Sequence, residues 1–177
     1  DDDSANAFAL PGGRIGVNRG MFKIATDQDQ LAVVLGHELS HVVSRHGAER
    51  VSDNLAAQAA VAAGTIYAGT RGSDAGNAAA LLGVGAQVGI LLPFSRTQES
   101  EADILGQRYM AQAGFDPRAA VTLWDKMSAQ GGSKPPAFLS THPSSGNRAQ
   151  SLNRQAQQLL PVYQKARSSG HAPNCHM

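Results

Sequence analysis

The chain has 177 residues, 42% of them apolar, which suits one compact domain with its own core and excludes disorder as the default. Its net charge is only +1 and it has no long run of like charges, so composition gives no case for a nucleic-acid partner. A single cysteine, Cys175, excludes an internal disulfide scaffold and a cysteine-rich zinc finger.

The opening Asp1-Asp2-Asp3 reads as a solvated end. No signal peptide precedes it, so the sequence reads as a trimmed or processed form, and the absence of a targeting segment says little about location. Short runs at Ala5–Leu10 and Arg14–Asn18 flank Pro11-Gly12-Gly13 and predict a hairpin, because Pro and Gly supply the backbone angles of a tight turn. Residues 28–50 predict one long amphipathic helix entered through Thr26 or Asp27, with Leu31, Val34, Leu35, Leu39 and Val42 at helical spacing. Two Ala/Gly-rich stretches, 54–69 and 76–92, are each shorter than the roughly 20 residues of a bilayer span. They read as a buried or partly exposed helical pair, with a membrane-touching hairpin as the alternative. Ser95 with Gln98 forms a capping box for a helix through Ala113, stopped by Gly114. Asp116-Pro117 opens another helix to about Ala129. Residues 130–143 read as a loop, a polar helix runs from about Ser145 to Gln158, and the tail after Gly170 reads as loose. The sum is a single mainly α (α+β) domain over residues 1–177 with one small β element.

Within the first strong helix stands His37-Glu38-Leu39-Ser40-His41. Two histidines at i and i+4 lie about 40° apart around the axis and one turn apart along it, so both imidazoles can meet one ion. Zinc accepts two such ligands and leaves room for a third protein ligand and a water. Glu38 is then placed to act as general base toward the zinc-bound water. Leu39 and Val42 argue against a fully exposed stretch. His46 is about 140° round the helix from His41 and reads as a structural histidine or a helix C-terminal cap. A distant glutamate is therefore the candidate third ligand. Glu99 and Asp103, at i and i+4 on the capped helix, share a face: Glu99 as ligand, Asp103 as the carboxylate orienting a ligand histidine. Glu101, about 160° away from Glu99, is the alternative ligand. Gly106 would allow this helix to pack closely on the first.

These motifs, with Ser95-Arg96, Glu99-x-Glu101-Ala102-Asp103-x-x-Gly106, Thr141-His142-Pro143, Arg148 and the opening Asn6-Ala7-Phe8-Ala9, resemble one family. It is the zinc metallopeptidase family that includes HtpX, BepA, LoiP, the mitochondrial Oma protease and the CAAX prenyl endopeptidases. The resemblance implies a zincin-type fold with a small β-hairpin beside the active-site helix and one Zn2+ per chain held by His37, His41 and Glu99. It implies that Asp103 supports a histidine ligand and that His142 lies over the metal, as an oxyanion stabiliser or a reversible extra ligand, with Arg148 near it to hold developing negative charge. Taken alone, His142 is a lone histidine before a proline. Polypeptide substrates would add as a strand along Ala5–Leu10. The compact, periplasmic LoiP-like members, often lipid-tethered, match best, which implies endopeptidase action on misfolded or misassembled envelope proteins. The rivals are a catalytically silent zinc-bound chaperone or assembly factor of the same fold and a membrane-embedded prenyl-type protease.

Overall fold

The computed structural model describes residues 2–10, 12–69, 94–130, 136–143 and 146–176. The chain divides into two compact units, Asp1–Ser44 with Phe94–Met177, and Arg45–Pro93. The first carries the hairpin and most of the helices.

Strands β1 (Ala7–Leu10) and β2 (Arg14–Val17) pair antiparallel, Ala7 opposite Val17 and Leu10 opposite Arg14. Gly12 and Gly13 turn the chain at φ 92 and 81, left-handed angles that other residues adopt at a cost. β1 starts later than the expected Ala5, whose carbonyl accepts from the Phe138 N–H instead of joining the ladder. The Asn18 N–H donates to the Asn6 carbonyl, which sets the phase of the pairing. Peptide groups of Phe8 and Leu10 thus face β2, and those of Ala7 and Ala9 face the outer edge.

After a 3-10 turn at Arg19–Lys23 comes helix α1 (Gln28–Val43). Its cap is Asp27, whose carboxylate accepts the Gln30 N–H at 2.8 Å. The expected single helix 28–50 is in fact two. The chain breaks after Ser44 at Arg45, whose φ of 55 takes the left-handed position usually left to glycine, and resumes as α2 (His46–Gly69). No glycine marks that break until Gly47, so the pattern runs through it. His46, expected as a structural residue or a C-terminal cap, is buried and is the first residue of α2. The stretch 54–69 belongs to this one helix, and 76–92 lies outside the described residues. Among the described residues, no helix is long and apolar enough to cross a membrane.

Helix α3 (Arg96–Gln112) begins in the expected capping box, with Gln98 N–H on Ser95 Oγ at 3.2 Å and Ser95 N–H on Gln98 Oε1 at 3.1 Å. Helix α4 (Ala119–Ala129) starts later than Asp116-Pro117 suggests, because the Asp116 carboxylate accepts the Arg118 N–H and closes a turn first. A short helix α5 (Ala137–Thr141) lies inside the stretch expected as a loop. Helix α6 (Arg148–Ser168) overruns its expected end at Gln158 and passes through Pro161, an interior proline that costs about 3 kcal/mol. A stripe of buried and half-buried residues on both sides of it, Leu152, Ala156, Leu159, Tyr163 and Ala166, offsets that cost. The tail is not loose either: Gln28 donates to the Pro173 carbonyl at 3.1 Å and accepts the Cys175 N–H at 2.8 Å.

α1 packs on α3 and α4, and α6 packs on α3 and α4, around a core that includes Met21, Ile24, Val34, Met110, Leu123, Met127 and Leu152. Two glycines set the α1–α3 distance. A methyl on Gly36 would lie 2.8 Å from the Gly106 carbonyl oxygen, and one on Gly106 would lie 2.8 Å from the His37 nitrogen. The helices therefore touch backbone to backbone at the turn that carries His37.

Candidate metal centre

That contact brings four buried side chains from three segments together. His37 and His41 come from α1, Glu99 from the first turn of α3, and His142 from the end of α5. One donor atom from each lies within 4.8 Å of all the others. His37 Nε2 is 3.1 Å from both His41 Nε2 and His142 Nδ1. Glu99 Oε1 is 2.8 Å from His142 Nδ1 and 3.3 Å from His41 Nε2, while its Oε2 is 3.5 Å from His37 Nε2. Donors bound to one zinc at about 2.0–2.1 Å in a tetrahedron sit about 3.3 Å from each other. The spacing and the His/Glu chemistry therefore fit one such ion, with His142 in the position that a catalytic site would leave open.

Around this group the remaining polar atoms are arranged in a definite order. Asp103 Oδ1 lies 3.1 Å from His37 Nδ1 and accepts its N–H, so Nε2 is the nitrogen that faces the other donors and would give up its own proton to bind an ion. Arg148 donates from Nη1 to Glu99 Oε2 at 3.0 Å and from Nη2 to Asp103 Oδ1 at 2.7 Å. The family resemblance implies Arg148 near His142, to hold developing charge; in the structure its terminal nitrogens donate to these two carboxylates. Glu101, the alternative ligand, is exposed and accepts from Ser44 Oγ at 3.0 Å. Glu38 receives the Ala9 N–H from the outer edge of β1. Its Oε1 is buried, has no hydrogen-bond partner among the described residues and lies 3.3 Å from His142 Nε2.

The charges follow from this packing. Burial pushes Glu38 up to about 7, helped by the nearby Glu99 and opposed by His37 and the Ala9 N–H. Burial would lower His37, but Asp103 and Glu99 outweigh it and raise the imidazole to about 9. Burial lowers His41 to about 4 and also lowers His142. Burial works against the charge on Glu99, yet three imidazoles hold it well below the usual carboxylate range.

Three aromatic residues were invisible to motif reasoning. Phe138 stacks on His142 at 4.3 Å and 19°, and Phe94 stacks on His142 at 5.3 Å and on His41 at 4.0 Å. Trp124 lies under Arg148, with the guanidinium carbon 3.5 Å from the ring centroid. The available signal was scarcity: aromatics are 5% of the chain, and Phe138 and Phe94 stand four residues before His142 and directly before the Ser95 cap.

Among known proteins, residues 1–156 match the model of Peptidase family M48. The chain belongs to this family. It is 40% identical over 177 residues to the mitochondrial metalloendopeptidase OMA1 of Schizosaccharomyces pombe, covering 95% of this chain and 47% of that protein. It is 38% identical over 184 residues to the mitochondrial metalloendopeptidase OMA1 of Bos taurus, covering 98% and 34%. With the beta-barrel assembly-enhancing protease of Escherichia coli (strain K12) it shares 34% identity over 169 residues, covering 92% and 34%. The chain thus spans about half or less of the length of these curated relatives. The M48 membership and the mainly α fold with a small hairpin agree with the sequence motifs. The relatives include both mitochondrial and bacterial proteins, so membership does not select the periplasm.

Proposed function

We propose that this M48 chain is a zinc-dependent endopeptidase held in a self-blocked resting state. The observation that carries the reading is Glu38 Oε1, buried and without a hydrogen bond among the described residues, beside four groups spaced for one ion. His37, His41 and Glu99 would hold the metal, for which a His2Glu set suits zinc. A divalent ion there would acidify water and polarise a peptide carbonyl. Glu38 takes a proton from the attacking water as the new C–O bond forms and returns it to the amine as the C–N bond breaks. Burial raises the Glu38 carboxyl in the metal-free site, which favours its taking up that proton and giving it back. Asp103 fixes the ring of His37, and Arg148 fixes both carboxylates. His142 must leave the fourth position before a substrate carbonyl can reach it.

The substrate would add as a strand on the outer edge of β1. Of the expected Ala5–Leu10, the Ala5 carbonyl is already bonded, which leaves Ala7–Leu10, and the Ala9 N–H joins that edge to Glu38. A relative named for enhancing β-barrel assembly supports misfolded or misassembled envelope proteins as substrates and a periplasmic site of action.

Cleavage of casein by the zinc-loaded chain tests this. Glu38→Gln should lower the rate at least about 100-fold while one zinc is still bound; equal cleavage by both would sink the assignment. His142→Ala should raise activity if His142 blocks the site, and a fall would give it a stabilising role instead. Cleavage by neither wild type nor His142→Ala would favour a silent chaperone or assembly factor.

A further inference from the structure

Arg148 is buried to 4% exposure, and its position is unfavourable for a cation in two ways. It is the first residue of α6, where the helix dipole repels positive charge. Its Nε is buried with no hydrogen-bond partner among the described residues. Two carboxylates compensate part of this, but Glu99 and Asp103 are also shared with the histidines, so neither is wholly its own. Nη1 also reaches the Pro143 carbonyl at 3.5 Å, and the guanidinium face lies on the indole of Trp124, itself 4% exposed, on α4. A guanidinium offers hydrogen bonds only in its plane and cation–π attraction only through its face. Here the uses are divided: the edge goes to Glu99 and Asp103, and the face goes to Trp124.

We propose that Trp124 is a positioning residue of the metal centre, acting through Arg148: the indole face fixes the guanidinium plane, and the guanidinium holds Glu99 and Asp103 in ligating orientation. This rests on the metal reading of the centre given above. Trp124 touches none of the four candidate donors in the contacts described, so its effect must pass through Arg148 or through Phe138, whose ring centroid is 6.0 Å away. The cation–π route depends on electron density in the ring. The Phe138 route depends only on its shape.

That difference defines the test. Trp124 is the chain's only tryptophan, so fluorinated tryptophans supplied to an auxotrophic host label this one site. Fluorine drains the π face while keeping the ring and its packing. Zinc affinity of the full chain, measured by competition with a chromophoric chelator, should fall stepwise from the unsubstituted to the tetrafluoro ring, by about tenfold at the end of the series. The dependence should vanish in an Arg148→Met background. A flat series in the wild-type chain would overturn the proposal, as would a slope that persists in Arg148→Met. If the unlabelled chain binds no zinc, the metal reading fails and the role of Trp124 falls with it. As a second variant, Trp124→Phe should keep affinity within about threefold while Trp124→Leu loses about tenfold; equal losses would again reduce Trp124 to packing.

Discussion

On one side of α1, Gln30, His37, Glu38, Ser40 and His41 are all nearly inaccessible, while on the other Leu35, Leu39 and Val43 are 36%, 40% and 56% exposed. A surface helix ordinarily does the reverse. The leucine side faces a groove of about 320 Å³ that it shares with Ile15, Tyr109, Met110 and Phe115. The comparison shows that hydropathy alone does not decide burial in this helix: Val33 and Val34 are buried as apolar residues, and His37, Glu38 and His41 are buried beside them through pairing. Each buried imidazole and carboxylate meets another charged or polar group, which is the condition for taking such groups out of water. The leucines meet no such demand and tolerate partial exposure.

The comparison can be broken most sharply at Glu99. Glu99→Ala leaves the buried Arg148 with Asp103 alone and strips three imidazoles of their anion, so it should destabilise the metal-free chain by about 3 kcal/mol, read as a lower denaturant midpoint. A loss under about 1 kcal/mol would mean that the polar side is not mutually dependent. Gly106→Ala comes next. Helix propensity favours the change by about 1 kcal/mol, but the new methyl meets backbone that cannot rotate away, at 2.8 Å from the His37 nitrogen and 2.9 Å from the Gly36 carbonyl carbon. Overpacking of this kind costs about 1–3 kcal/mol. Net loss of stability, with weaker zinc binding, is the expected result; unchanged zinc affinity would show that the glycine contact does not set the donor spacing. Leu39→Gln should do least, within about 0.5 kcal/mol by thermal or chemical melting. A drop of several kcal/mol would reveal the leucine side as a covered surface and end the contrast.

Much of the polar side was legible in the sequence because helical phase is local arithmetic. His37 and His41 at i and i+4, Glu99 with Asp103, and the turning away of Glu101 all follow from 3.6 residues per turn. The same arithmetic gives a stripe of leucines but not which stripe is inside: the stretch around Leu39 is not fully exposed, as expected, yet Leu39 itself is 40% exposed. Breaks decided by one backbone angle, such as Arg45, and helices carried through a proline by tertiary contacts, such as α6, have no local signature. Nor do the contacts of Trp124, Phe94 and Phe138, which arise only when separate helices meet. Arg148 was singled out only by the family resemblance, which did not give its partners, because the direction of a long side chain is set by what surrounds it.

The centre is drawn from residues far apart in the chain: His37 and His142 are separated by 105 positions, and Glu99 and Arg148 by 49. Synthesis runs from the N-terminus, so a growing chain carries His37, Glu38 and His41 long before it carries the carboxylate and the guanidinium that complete the arrangement. Closing such long intervals costs loop entropy. A nascent or prematurely terminated chain that stops short of Glu99 therefore displays the histidine motif without the carboxylate that completes the donor group.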